Sequence, residues 1–266
     1  MYLLKSEFIR AFTAKSFYFS LVFGLILCFI GFIDYGLPGP WLIPTVLLNT
    51  DAYSAFEYAY GNSIFALFAP LLATLPFAGS LASDRESNYL KYVLLRTSKK
   101  VYIQSKTIAN ALVGGGTIAG VLLVSLLASL VLYPVTPTVP PPAVGAFADL
   151  RVDFPLLYCL IICGLGFLFG ATYATLGLAC STFLKKRYTT VIAPFLLYIL
   201  LLFVADNLAQ ITGVDWLTSL QPIASLVPFS STSNTAWLVL SPMVALLGVS
   251  LLILHNWTLK DRDHAS

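Results

Sequence analysis

Charge is what this sequence has least of. Only 10% of its 266 residues are Asp, Glu, Lys or Arg, while 58% are hydrophobic. Soluble domains carry about 25% charged residues, and a water-soluble fold cannot hide this much apolar surface. A bilayer can. Histidine is nearly absent too, and neither His255 nor His264 belongs to a His-Glu-x-x-His pair, which excludes an intramembrane zinc protease. No Gly-x-x-x-x-Gly-Lys-Ser/Thr loop is present to cradle nucleotide phosphates. Gly114-Gly115-Gly116 lacks the following lysine and lies in an apolar run. The four cysteines, Cys28, Cys159, Cys163 and Cys180, all fall inside apolar runs without the spacing of a zinc site. They read as small apolar packing residues. No nucleophile, base or metal set can be assembled, so no catalytic site is expected.

What is present is a series of six apolar stretches, roughly Phe17–Ile33, Ile64–Ala82, Ile108–Tyr133, Pro155–Phe183, Tyr188–Ala205 and Ala236–Trp257. About 20 apolar residues cross the hydrocarbon core, and none of the six contains Asp, Glu, Lys or Arg. An all-α polytopic membrane protein with a single domain over 1–266 is therefore expected. The first stretch follows Lys5, Arg10 and Lys15 like a signal sequence. It lacks a small-x-small cleavage site, and Leu27 is wrong before a lipoprotein cysteine, so it reads as a retained span. Of the 15 basic residues, only Arg151 falls on one side of the implied membrane. The positive-inside bias puts both termini in the cytoplasm. Missing intramembrane charge also argues against an ion-coupled transporter. Gly166 and Gly170 in the fourth stretch, with Gly114, Gly115, Gly116 and Gly120 in the third, mark close helix packing.

The connections differ in character. Leu4, Phe8 and Phe12 recur every four residues among charges, which predicts an interfacial helix over 1–16. Asp34 to Asn62 reads as a long aromatic outer loop, and Tyr133 to Phe154 as a proline-rich extended connector. Asp215–Leu220 and Ile223–Val227, separated by Pro222, predict short re-entrant helices within 206–234. Between the second and third stretches, Ser83-Asp84-Arg85-Glu86 has the form of a capping box. A helix starting there places Tyr89, Leu90, Val93 and Leu94 on one face, with Lys91, Tyr92 and Leu95 on the other. Ser98 is positioned to cap a second helix running into the third stretch.

Residues 82–112 resemble the first cytoplasmic loop of type 2 ATP-binding-cassette (ABC) exporter permeases. Glu86, Leu90, Leu94, Leu95, Ser98, Tyr102 and Lys106 match that pattern, while Asn88 stands for its usual glycine and Thr97 for its usual proline. The resemblance extends over the chain: an interfacial helix, six spans, and paired outer helices jointed at Gln221-Pro222. It implies a permease in the bacterial plasma membrane with a second permease copy or paralogue. Two ATPase subunits on separate chains would carry ATP and Mg, and a hydrophobic peptide or lipid-like compound would be exported. No cofactor in this chain and no nucleic acid are expected. Ser83, Asp84, Arg85, Glu86, Lys91, Tyr92, Leu95 and Arg96 would then form the coupling element to the ATPase, and Trp216 and Pro222 an outer gate. A non-transporting scaffold or regulatory subunit is the alternative from another class.

Overall fold

The computed structural model describes residues 2–36, 51–135, 147–184, 186–213, 221–227 and 236–259. Regular structure among them is entirely helical. Five helices are long and apolar enough to cross a membrane. These are α2 (Lys15–Tyr35), α7 (Lys99–Leu132), α9 (Pro155–Cys180), α10 (Arg187–Thr212) and α11 (Ala236–Leu259). At 1.5 Å per residue even the 21 residues of α2 reach about 32 Å, enough for the hydrocarbon core. The chain is thus a helical, multi-pass membrane protein. Before α2 lies α1 (Tyr2–Phe12), and four short helices complete the bundle: α3 (Ala52–Gly61), α4 (Phe65–Thr74), α5 (Ser80–Glu86) and α6 (Tyr89–Leu94). A further turn of helix, α8 (Ala148–Asp153), leads into α9, and a 3-10 turn spans Pro222–Ser225.

The centre of the bundle is the seam between α7 and α9. A Cβ added at Gly170 would lie 2.5 Å from the Gly114 carbonyl oxygen, and one at Gly166 would lie 2.4 Å from Leu122. Only a missing side chain lets the two backbones approach this closely, which is how glycine promotes helix association where water exclusion offers no drive.

The second apolar stretch departs from a continuous span. The helix stops at Thr74 and resumes at Ser80. Two prolines mark this run, one inside α4 and one in the gap. Pro70 has no N–H for the Ala66 carbonyl one turn earlier, and the Tyr198 hydroxyl of α10 donates to that oxygen instead, at 3.0 Å. Pro76 falls in the gap itself, and its carbonyl accepts from Ser16 Oγ of α2 at 2.9 Å. Thr74 Oγ1 adds a bond to the Val191 carbonyl at 3.2 Å. A broken helix is tolerated in an apolar setting only when neighbours satisfy its freed backbone groups. Here α2 and α10 do so.

Other boundaries also move. The segment read as an aromatic loop contains α3, whose Asp51 N-cap accepts from the Ser54 N–H at 2.6 Å. Ala52, Ala55, Phe56, Ala59 and Tyr60 on this helix are fully buried. The proline-rich connector ends in α8, while Pro140–Pro142 lie outside the described residues. Helix α10 continues past Ala205 to Thr212 and ends on Gly213 at φ 66°, a left-handed position suited to glycine. Of the expected re-entrant pair, Pro222–Ser225 forms the buried 3-10 turn, and Trp216 with the rest of Asp215–Leu220 lies outside the described residues.

On α1 the buried stripe is not Leu4, Phe8 and Phe12. Glu7 and Ala11 turn inward, and Phe8 is exposed. The helix faces its neighbours with an acid.

Candidate functional site

That acid belongs to a cluster joining three elements at the end of the bundle where most basic residues gather. Tyr102 and Lys106 stand four residues apart, on one face of the first turns of α7. Lys106 is fully buried and contacts two carboxylates, Asp84 Oδ2 of α5 at 2.8 Å and Glu7 Oε2 of α1 at 3.0 Å. The Tyr102 hydroxyl donates to Asp84 Oδ2 at 2.6 Å. Arg10 Nη2 donates to Asp84 Oδ1 at 2.8 Å. Beneath the lysine, the Phe77 ring centroid lies 4.9 Å from Nζ, so the aromatic face of the broken segment supports the cation.

The cluster balances itself, with two acids against two bases. Burial alone would push the Asp84 carboxyl up. Arg10, Lys106 and Tyr102 more than offset that and hold it below its usual range. A buried ion cluster of this kind adds little net stability over an apolar core, but losing one partner leaves an uncompensated charge, at about 3–5 kcal/mol. Its effect is positional. It fixes α1, α5 and the start of α7 in one arrangement.

Arg85, next along α5, serves a different helix. Its Nη1 donates to the Ser181 carbonyl at 2.7 Å, at the C-terminal end of α9, and its guanidinium lies 5.0 Å from the Trp257 ring centroid of α11. A cation there complements the helix dipole. Lys99 Nζ lies over the same indole at 3.7 Å. Leu3, Leu81, Val93, Leu178, Leu254 and Trp257 share one apolar cluster. The starts of α1 and α7 and the ends of α9 and α11 therefore meet at one end of the molecule.

Helix α6 sits on this platform. Leu90 and Val93 face the apolar cluster, whereas Tyr92 is 69% and Leu95 83% exposed. Glu86, Lys91 and Arg96 are exposed as well. The predicted capping box is not formed. Ser83 lies inside α5, Gly79 precedes that helix, and Glu86 is its last residue. The chain breaks at Ser87-Asn88, with Asn88 at φ 57°, a left-handed conformation that asparagine tolerates better than most residues. So the expected single helix over this loop is two short ones. Asp84 and Arg85 are committed inside the chain. Ser98 does cap α7, accepting from the Val101 N–H at 3.5 Å.

At the opposite end a smaller ionic site joins α3 to α8. Glu57 pairs with Arg151, the one basic residue the sequence left on that side. A cavity of about 30 Å³ beside them is lined by Asp51, Ser54 and Tyr158 among others. Burial raises the Glu57 carboxyl to about 7, against the opposing pull of Arg151. Among the described residues no group of His, Cys, Asp and Glu could hold a metal ion.

Residues 45–265 match a family described as a protein of unknown function, DUF2705. The chain belongs to that family. No curated protein matches the sequence. Sequence reasoning missed both ionic sites. For the larger one, the signal was Tyr102 and Lys106 four apart at the head of an apolar helix. For the smaller, it was Arg151 as the lone basic residue of the outer segments, with Glu57 as their one glutamate.

Proposed function

We propose that this chain is the membrane-spanning permease subunit of an ATP-driven ABC exporter in the bacterial plasma membrane. The apolar run Ile64–Ala82, broken at Pro76, supplies the second of six crossings, and both termini lie in the cytoplasm. The observation that carries this reading is α6: a short helix between two crossings presents Tyr92 and Leu95 to solvent at the basic end, seated on an ion-locked platform. Exposed aromatic and apolar side chains amid exposed charges suit a protein partner. A soluble motor can deliver force only through a rigid piece joined directly to spans. Glu86, Lys91 and Arg96 ring those anchors, and the partner ATPase holds the ATP and Mg. The exported compound is a hydrophobic peptide or lipid-like molecule, since strongly charged solutes would find few counter-ions among the spans. A second permease copy or paralogue completes the pathway.

The test is to purify the full chain from its native membranes, identify associated proteins, and measure ATP hydrolysis with and without amphipathic peptides. The reading expects an ATPase to co-purify, and its association to fall in Tyr92→Ala and Leu95→Ala chains that remain folded. Recovery of a stable complex without any ATPase would favour the scaffold alternative.

A further inference from the structure

A groove of about 600 Å³ runs between α7 and α11 at the basic end. Its volume lies within the range of small-molecule sites, roughly 300–1,000 Å³. The two helices are antiparallel, so the lining residues sort by depth. Lys100 and Gln104 of α7 come opposite His255 and Thr258 of α11 near the end of the bundle. Further in, Ile108 faces Leu251. From Lys100 to Ile108 the helix climbs about 12 Å, from a level where Lys100, Gln104, His255 and Thr258 stand among Ile103 and Leu254 to one where the aliphatic side chains have beside them only Thr107, whose hydroxyl donates to the Ile103 carbonyl. Trp257, one residue before Thr258, lies under Lys99 and Arg85. Tryptophan flanked by cations in this way marks the membrane–water boundary. The groove therefore straddles that boundary, with its polar part outward and its apolar part toward the hydrocarbon.

We infer that this groove is a binding site for an anionic phospholipid. The headgroup phosphate meets Lys100, with Gln104, His255 and Thr258 supplying hydrogen-bonding groups, and an acyl chain lies along Ile108 and Leu251. The occupant is chosen by the gradient: a soluble anion would leave the apolar depth unfilled, and a wholly apolar ligand would leave the lysine unmatched. A basic pocket between spanning helices is the arrangement that recognises anionic headgroups. The inference requires only that the chain span a membrane and is independent of the exporter reading.

Native mass spectrometry of the full chain in mild detergent tests it, with phosphatidylglycerol and phosphatidylcholine of identical acyl chains as probes. The wild-type chain should retain phosphatidylglycerol preferentially. Lys100→Gln should lower that retention on the order of fivefold, the scale of one basic residue near a membrane surface, and leave phosphatidylcholine unchanged. Leu251→Trp, which fills the apolar part, should reduce both. Lys91→Gln, at an exposed basic residue on α6, should change neither. Equal retention of the two lipids by the wild-type chain would overturn the inference, as would an equal loss in Lys91→Gln. Displacement of the lipid by glycerol 3-phosphate would show a soluble-anion site instead. Loss of a dimer in Leu251→Trp with lipid retention intact would assign the groove to a second copy of the chain.

Discussion

Asp84 and Glu57 are both buried, both pair with an arginine and lie at opposite ends of the bundle, yet their carboxyls shift in opposite directions. Asp84 faces Arg10, Lys106 and Tyr102, three donors converging on two oxygens. Glu57 faces Arg151 and the Tyr158 hydroxyl, with the like charge of Asp51 nearby. Desolvation acts on both; at Asp84 the surrounding donors outweigh it, and at Glu57 it outweighs them. The first site is locked across the physiological range. The second sits close to its midpoint at neutral pH.

Removing the shared cation should have the largest effect. Lys106→Met leaves Glu7 and Asp84 buried around an apolar side chain, and a stability loss of about 3–5 kcal/mol is expected. Denaturant unfolding in detergent, followed by tryptophan fluorescence, reads it. Adding Glu7→Leu to that variant should recover part of the loss, because one unpaired charge goes with it. Unfolding of Lys106→Met at the wild-type midpoint would mean the cluster does not hold α1 in place.

The two carboxylates should then separate by pH. Glu57 has a folded value near 7, above the 4.5 of an unperturbed glutamate. Its contribution to stability is full below about pH 4.5 and is lost as pH rises through 7, by on the order of 2–3 kcal/mol. Asp84 is shifted the other way, so its contribution is present above about pH 4 and is lost as pH falls below that. Unfolding midpoints measured from pH 8 to pH 5 should therefore rise in the wild-type chain, and Glu57→Gln should flatten the curve. A curve unchanged by that substitution would assign the dependence elsewhere.

Two smaller changes sharpen the contrast. Tyr198→Phe leaves the Ala66 carbonyl without its donor while both ionic sites stay intact, and should cost about 1–2 kcal/mol with no pH dependence. Asp51→Asn keeps an N-cap for α3 but removes the negative charge beside Glu57. The Glu57 midpoint should move down with little change in stability at pH 5, readable from its carboxyl infrared band. A midpoint that stays put would mean burial alone sets the value.

Much of the architecture was legible as runs of apolar residues, because a bilayer demands about 20 of them per crossing whatever the tertiary partners. The second run misled because composition is blind to hydrogen bonding. Pro70 and Pro76 read as apolar, and only the positions of Tyr198 and Ser16 show that the helix is interrupted and repaired. Helix α3 was hidden by its aromatics, although Ala52, Ala55, Phe56, Ala59 and Tyr60 follow a helical i, i+3, i+4, i+7, i+8 pattern. The ionic cluster was the hardest to see. Glu7, Asp84 and Lys106 lie in three segments, and apart from the four-residue spacing of Tyr102 and Lys106 nothing local distinguishes them from the charges that ordinarily flank a span. The exposed face of α6 was readable in part from spacing: Tyr92 and Leu95 are exposed as expected, but Tyr89, expected beside Leu90 and Val93, is exposed as well.

The repaired break also bears on how the protein is made. The Ala66 carbonyl depends on a hydroxyl 132 residues later in the chain, and Thr74 on a backbone oxygen 117 residues later. At roughly 5–20 residues per second, the ribosome delivers Tyr198 about 7–26 s after Ala66. During that interval the Ala66 carbonyl freed by Pro70 lacks its hydroxyl donor. An unsatisfied carbonyl is costly in hydrocarbon, so this segment is stable there only once α10 has been made. Pro70 thereby ties the pairing of an early carbonyl to the synthesis of a late helix.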